Sequence, residues 1–323
     1  MKKTLSLVLI LALLVSCLAL FTACSDANEL VILYEQDNNL KNTYSIIAVN
    51  PDSPFIDAGK VEVDAQTKAS IVLNTAGADA LINWLSLAST RELIANYGVE
   101  TYGEKLFYLE ENAPVVDVTI PMATEATKEI SVSTTTSVND SGLMKYLLPN
   151  FESDYGYKVN VASAGTGAAI LAAQMGNADL ILVHSKSSEE AFVDGGFARI
   201  VDGFNVARIS NMYNFFVLVG PKNDPAKVKD AATIKDAFAS IANTKSKFIS
   251  RGDKSGTHNK EVTLWDTTLS ITNNVETLSN DIADWYISAG QGMGACLNMA
   301  NEQQAYVLSD KATYLTFKNN LGK

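Results

Sequence analysis

Three short stretches of this chain carry the residue types that hold a small anion. Thr134 to Ser137 read TTTS, Ser163 to Gly167 read SAGTG, and Ser250 to His258 read SRGDKSGTH. Each follows a β-branched run and opens a helical pattern, and each mixes hydroxyls with small or turn-forming residues. At a helix start the first backbone N–H groups lack partners within the helix, and the helix dipole favours negative charge there. Gly165, Gly167 and Gly256 let the backbone approach a compact oxyanion closely. Arg251 adds a guanidinium that stays protonated and offers several donors in one plane. Plainer roles compete with this one. Ser137, with Asp140 three residues on, has the form of a capping box, and Arg251 has Asp253 beside it for an ion pair. Three such turns at strand ends nevertheless favour a ligand, because open α/β sheets bind at the carboxyl edge of their strands. The RGD tripeptide by itself is too short to indicate adhesion.

The elements that would position these turns follow from periodicity. ELVILYE and YSIIAVN read as strands. AGADALINWLSLASTRELIANYG reads as a helical stretch, with Ala80, Leu81, Trp84, Leu85 and Leu87 on one face and Gly98 as a stop. Residues 109 to 129 combine two prolines with many acids and threonines, which predicts a linker. Then EISVSTTTS, YKVNVAS and ADLILVHS read as strands, separated by helical GLMKYLLPNFESDYG and GTGAAILAAQMGN. That βαβαβ order predicts an α/β fold with a parallel sheet and helices on its faces. NFFVLVGP opens a second set, with SKFISRGD, a helix from about His258 to Leu269 and a helical IADWYISAG. There is no evident internal repeat.

The chain begins with Lys2 and Lys3 and an apolar run from Leu5 to Phe21, an export signal over residues 1–23. LFTAC followed by polar SDAN resembles a bacterial lipoprotein cleavage box, so Cys24 is the expected lipidation site; LVSC at Cys17 is the alternative. With the leader removed and Cys24 acylated, Cys296 is alone and an intramolecular disulfide is impossible. Without Lys2 and Lys3, 23 basic residues face 36 acidic ones, a net charge of −13. That balance argues against nucleic acid, and it obliges an anion site to rely on local donors. Enzyme chemistry finds little support. The chain has two histidines, His184 and His258, and neither a G-x-S-x-G elbow nor an H-E-x-x-H helix. Ser255 beside His258 is the one arrangement that imitates a nucleophile and base, and a histidine at a helix start reads more plainly as structural or ligand-facing.

TTTSVNDSGLMKYLLPNFE, GTGAAILAAQMGNADLILVHS, NFFVLVGP, ISRGDKSGTHNKE and AYVLSDKATYLTF together resemble the tungstate-binding proteins of bacterial ABC importers, which have the two-lobed type II periplasmic-binding fold. The resemblance implies an exported receptor held on the outer face of the cytoplasmic membrane through its lipid alone, with an ABC permease as partner and no cofactor, protein-coordinated metal cation or nucleic acid. It implies an oxyanion enclosed by Thr135, Thr136, Ser137, Thr166, Gly167, Arg251, Ser255 and Thr257. Tungstate is the expected ligand; molybdate, vanadate or phosphate remains open, as does an oxyanion sensor without transport. In the family order TTTS follows the signal closely, and pieces like LVILYE, YSIIAVNP and INWLSLASTRELIANYG end the chain. Here those pieces come first, which implies a circular permutation. Lobe I is then expected from 46–112 with 130–214, lobe II from 29–45 with 215–323, and 113–129 as the linker joining the ancestral ends.

Overall fold

A computed structural model describes residues 29–272, 274 and 278–320; the leader, with Cys17 and Cys24, lies outside the described residues. In chain order the first elements are β1 (Leu30–Tyr34), β2 (Lys41–Val49), α1 (Ala65–Ser70), α2 (Thr75–Ser86), α3 (Ala88–Asn96), α4 (Val99–Tyr102) and β3 (Tyr108–Leu109). The TTTS region follows as β4 (Glu129–Thr135), α5 (Thr136–Asp140), α6 (Leu143–Tyr155), β5 (Lys158–Ala164), α7 (Thr166–Gln174), β6 (Leu180–Val183), α8 (Lys186–Asp194) and β7 (Ala198–Arg199). The remainder is β8 (Ile209–Pro221), α9 (Ile234–Thr244), β9 (Phe248–Ser250), α10 (Gly256–Val262), α11 (Asn280–Ala283), β10 (Tyr286–Ser288), α12 (Met293–Gln303), β11 (Tyr306–Asp310) and α13 (Lys311–Asn320).

The strands follow the order β10-β9-β11-β8-β2-β6-β4-β5. Each end is a parallel triplet: β4 lies between β5 and β6, and β9 between β10 and β11. Between them β2 and β8 run antiparallel to each other. The β8 strand is long enough to serve both ends, since its first half pairs with β2 and β3 and its second half with β1 and β11.

Alternation along the strands divides the core into layers. In β6, Leu180 and Leu182 join the cluster around Trp84 and Phe151, while Ile181 and Val183 join the one around Ala169 and Phe192. In β11, Tyr306 and Leu308 face Phe238 and Trp265, while Val307 faces Met293 and Leu297. Each sheet is therefore covered by helices on both faces, which is why the inner strand β6 is a continuous apolar run, LILV. Each fully buried Leu or Phe contributes roughly 1.5–3 kcal/mol of transfer free energy.

Several sequence expectations need correction. WYIS is not helical: α11 ends at Ala283, and Tyr286–Ser288 form a strand parallel to β9. A short run rich in aromatic and β-branched residues fits either period, and pairing decides it. The helix expected from His258 to Leu269 is α10 followed by a separate 3-10 turn at Thr267–Leu269. The helical stretch expected up to Gly98 is two helices, α2 from Thr75 and then α3, parted at Leu87, which has extended dihedrals. Residues 113 to 128 carry no helix or extended strand, but they are docked: Val116 N–H donates to Ser86, Ala123 N–H donates to Tyr155, and Ile120 is buried.

Candidate oxyanion-binding site

The two parallel triplets direct their carboxyl ends at one another, and the three turns lie there. The TTTS turn leaves β4, the GTG turn leaves β5, and the arginine turn leaves β9. Three contacts join them across the gap. Arg251 Nη1 donates to Thr136 Oγ1 at 3.3 Å. A Cβ built on Gly165 would lie 3.9 Å from the Ser255 backbone. The His184 ring, at the end of β6, lies so close to Gly256 that a Cβ there would come within 2.5 Å of it.

All eight residues expected from the sequence are brought to this locality, and they differ in what they still offer. Thr135 and Ser137 are buried, with their hydroxyls 3.0 Å apart, and Ser137 Oγ lies 3.0 Å from His184 Nε2. The Ser137–Asp140 capping box does not form. The α5 helix takes Thr135 as its N-cap, two residues earlier than the box requires, and has no side-chain cap: the Thr135 hydroxyl lies against Ser137, and Ser137 against His184. Ser255 does cap, accepting from His258 N–H at 3.3 Å. Thr166 and Thr257 are buried and their hydroxyls have no partner within the protein. Gly167 has open space where a side chain would stand.

Arg251 is only 3% exposed. Nη2 is paired with Asp253, the plainer role that the sequence offers, while Nε is buried and unpartnered. His258 Nδ1 accepts from Lys254 N–H at 2.9 Å, so in the neutral ring Nε2 carries the proton, and that atom too lacks a partner. Burial lowers the His258 pKa, which keeps the ring neutral. Among the described residues six buried side-chain polar atoms have no partner, and four of them are Thr166 Oγ1, Arg251 Nε, Thr257 Oγ1 and His258 Nε2. Such groups cost roughly 1–3 kcal/mol each when left unmade. All four lie in the GTG and arginine turns, and an acceptor-rich guest can satisfy donors of this kind.

Helix dipoles contribute less here than the sequence suggests. The α5 and α10 helices have five and seven residues, and only α7, with nine, starts a helix of two full turns. Three carboxylates surround Arg251 electrostatically: Asp253 bonds to it, while Asp140 and Asp310 are buried enough that their pKa values rise, Asp310 to about 6. Sequence reasoning missed His184, which links this site to the strands beneath it. A separate cavity of about 880 Å³ beside His184 and Gly256 contains none of the eight residues. Its arginine and Lys41 are already paired, Arg208 with Glu189 and Lys41 with Glu110.

Parallel triplets at either end of two crossing strands give the two-lobed architecture of the periplasmic-binding-protein fold. The chain belongs to the PBP superfamily, whose domain profile matches residues 121–323. It is 48% identical over 201 residues to the tungstate-binding protein TupA of Peptoclostridium acidaminophilum, covering 62% of this chain and 65% of that one. The TupA of Campylobacter jejuni is 35% identical over 184 residues, covering 57% and 62%. The chain thus spans slightly less than two thirds of the length of these relatives. Among solved structures, the tungstate ABC transporter from Geobacter sulfurreducens matches with a TM-score of 0.50 and 45% identity, covering 60% of this chain and 76% of that one. These relatives are named as binding or transport proteins and not as enzymes. Among the described residues no helix is long and apolar enough to cross a membrane.

Proposed function

We propose that this protein is an extracytoplasmic lipoprotein that captures tungstate between its lobes and presents it to an ABC permease. The observation that carries this reading is the group of unpartnered buried donors on the GTG and arginine turns; the names of the relatives supply the particular anion. Thr136, Thr166, Gly167, Arg251, Ser255 and Thr257 would hold the anion directly, with Thr135 and Ser137 shaping the first turn. The leader and Cys24 supply export and anchoring.

The donors also favour a fully ionised anion. Tungstate and molybdate are dianions at neutral pH that need only donors, whereas hydrogen phosphate carries an O–H that needs an acceptor. The nearest carboxylate is committed, since Asp253 accepts from both Arg251 and Ser255 N–H. Calorimetric titration of the chain from Ser25 onward with tungstate, molybdate, vanadate, sulfate and phosphate is therefore expected to place tungstate first and phosphate at least about a hundredfold weaker. Phosphate binding tightest, or none of the five binding, would remove the reading.

The same proposal includes circular permutation. The matched profile covers 121–323 and leaves the earlier part outside it, yet that part is built into both sheets. The β1 strand pairs with β8, and β2 pairs with β6 and β8. The start of the described chain also lies against its end: Tyr314 Oη donates to Leu30 O at 2.7 Å, and Lys318 pairs with Glu29 at 2.7 Å. Adjacent ends are what a moved cut requires. On this reading 46–112 and 130–214 form one lobe, 29–45 and 215–323 the other, and 113–129 joins the ancestral ends. A reordered chain running from 130 to 323 and then from 29 to 112 is expected to bind tungstate within about threefold of the natural order. A large loss in a folded sample would refute the permutation.

A further inference from the structure

Beneath the TTTS turn lies a buried chain of polar side chains that reaches both central strands. Asn42, on β2, and Asn214, on β8, are buried and bonded to each other, Asn42 Nδ2 donating to Asn214 Oδ1 at 2.8 Å. Asn42 Nδ2 also donates to Tyr44 Oη at 3.0 Å, so its Oδ1 is turned to His184 Nδ1 at 2.8 Å. An amide oxygen only accepts, so Nδ1 must carry a proton. Burial, reinforced by Arg251, lowers the His184 pKa to about 3, so the ring is neutral and has one N–H. Nε2 is then a bare acceptor, and the hydroxyl 3.0 Å away, that of Ser137, must donate to it. Ser137 Oγ in turn is left to accept from Thr135 Oγ1, at 3.0 Å.

We propose that Asn42 and His184 form a positioning relay that holds the Ser137 proton inward, so that the first turn meets the anion through its backbone N–H groups and the Thr136 hydroxyl. Thr136 suits that part, because its oxygen accepts from Arg251 and its own proton stays available. The relay ties the turn to β2 and β8, the two strands that cross between the parallel triplets. Packing holds the ring in place: Tyr44 lies 4.9 Å away between centroids and Phe216 6.2 Å. Ser137 is thus a support for the turn rather than a hydroxyl donor to the ligand. This rests on the oxyanion reading above and specifies how that site is held.

The test reads the tautomer directly. In the full chain labelled with ¹⁵N-histidine, long-range proton–nitrogen spectra are expected to show His184 protonated at Nδ1 and bare at Nε2, with and without tungstate. A ring protonated at Nε2 would overturn the proposal, because it corresponds to the opposite sense of every bond in the chain. In parallel, His184→Leu is expected to weaken tungstate binding at least about tenfold, while His184→Gln, whose amide oxygen can stand near the Nε2 position, recovers most of the loss. Leucine binding as tightly as the natural residue would also overturn it. If the natural chain binds no tungstate, the tungstate reading fails, and the tautomer still decides the relay.

Discussion

Arg251→Ala is expected to weaken tungstate binding by between about a hundredfold and several thousandfold, with little change in melting temperature. The size follows from the desolvation of the side chain. A charge-assisted hydrogen bond to an ion contributes about 1.5–3 kcal/mol, and truncating one partner of a buried charge pair costs about 2–5 kcal/mol. Arg251 is almost wholly buried, and its Nε has no other partner. Stability responds differently because the group brings costs to the unliganded fold. Its removal leaves Asp253 partly exposed to solvent and able to hydrate, with Ser255 N–H still donating to it. Arg251→Lys should recover only a minor share, since an ammonium cannot reproduce the planar set of donors that reaches Thr136, Asp253 and the ligand together. Calorimetry of the three proteins beside thermal melts checks this. Alanine binding within about threefold of the natural residue would remove Arg251 from the site.

The turns are legible in the sequence because their chemistry is local. Hydroxyls and glycines between a β-branched run and a helical period announce a strand-to-helix junction wherever the chain goes, and three junctions at carboxyl ends imply one edge. The relay is not legible. Asn42 and Asn214 are 172 positions apart, and His184 is 142 from Asn42; no local window connects them. A signal does exist: KNTYSIIAV and NMYNFFVLV each place an asparagine inside an otherwise strand-forming run, and a polar group in such a run must find a buried partner. The Ser137 capping box fails for the same reason. A motif names one partner for a hydroxyl, and a distant ring can displace it. The WYIS strand escapes a sequence reading because three residues cannot display a period.

Gly256→Val is expected to lower tungstate affinity by between about fivefold and about a hundredfold while leaving the two lobes folded. Gly256 opens α10 and its backbone is not in the left-handed region, so a side chain brings no dihedral strain and a better helix former stands in place of glycine. The obstacle is entirely across the gap. A Cβ would lie 2.5 Å from His184 Cε1 and 2.7 Å from Nδ1. Real contacts of that length do not occur, so one side must move. The ring cannot, because Asn42 and Ser137 hold its two nitrogens and Tyr44 and Phe216 flank it. The α10 turn must then withdraw, which takes Ser255 and Thr257 with it and lengthens the reach of Arg251 to Thr136. Overpacking of this kind costs about 1–3 kcal/mol, falling on the arrangement in which the two turns meet. Gly256→Ala should therefore show a smaller loss in the same direction, and its melting temperature without ligand should be unchanged or slightly higher. Small-angle scattering supplies the independent reading: the natural protein is expected to contract on adding tungstate, and the valine variant to contract less at the same saturation. A valine variant that binds and contracts like the natural protein would mean that the contact between Gly256 and His184 does not limit closure.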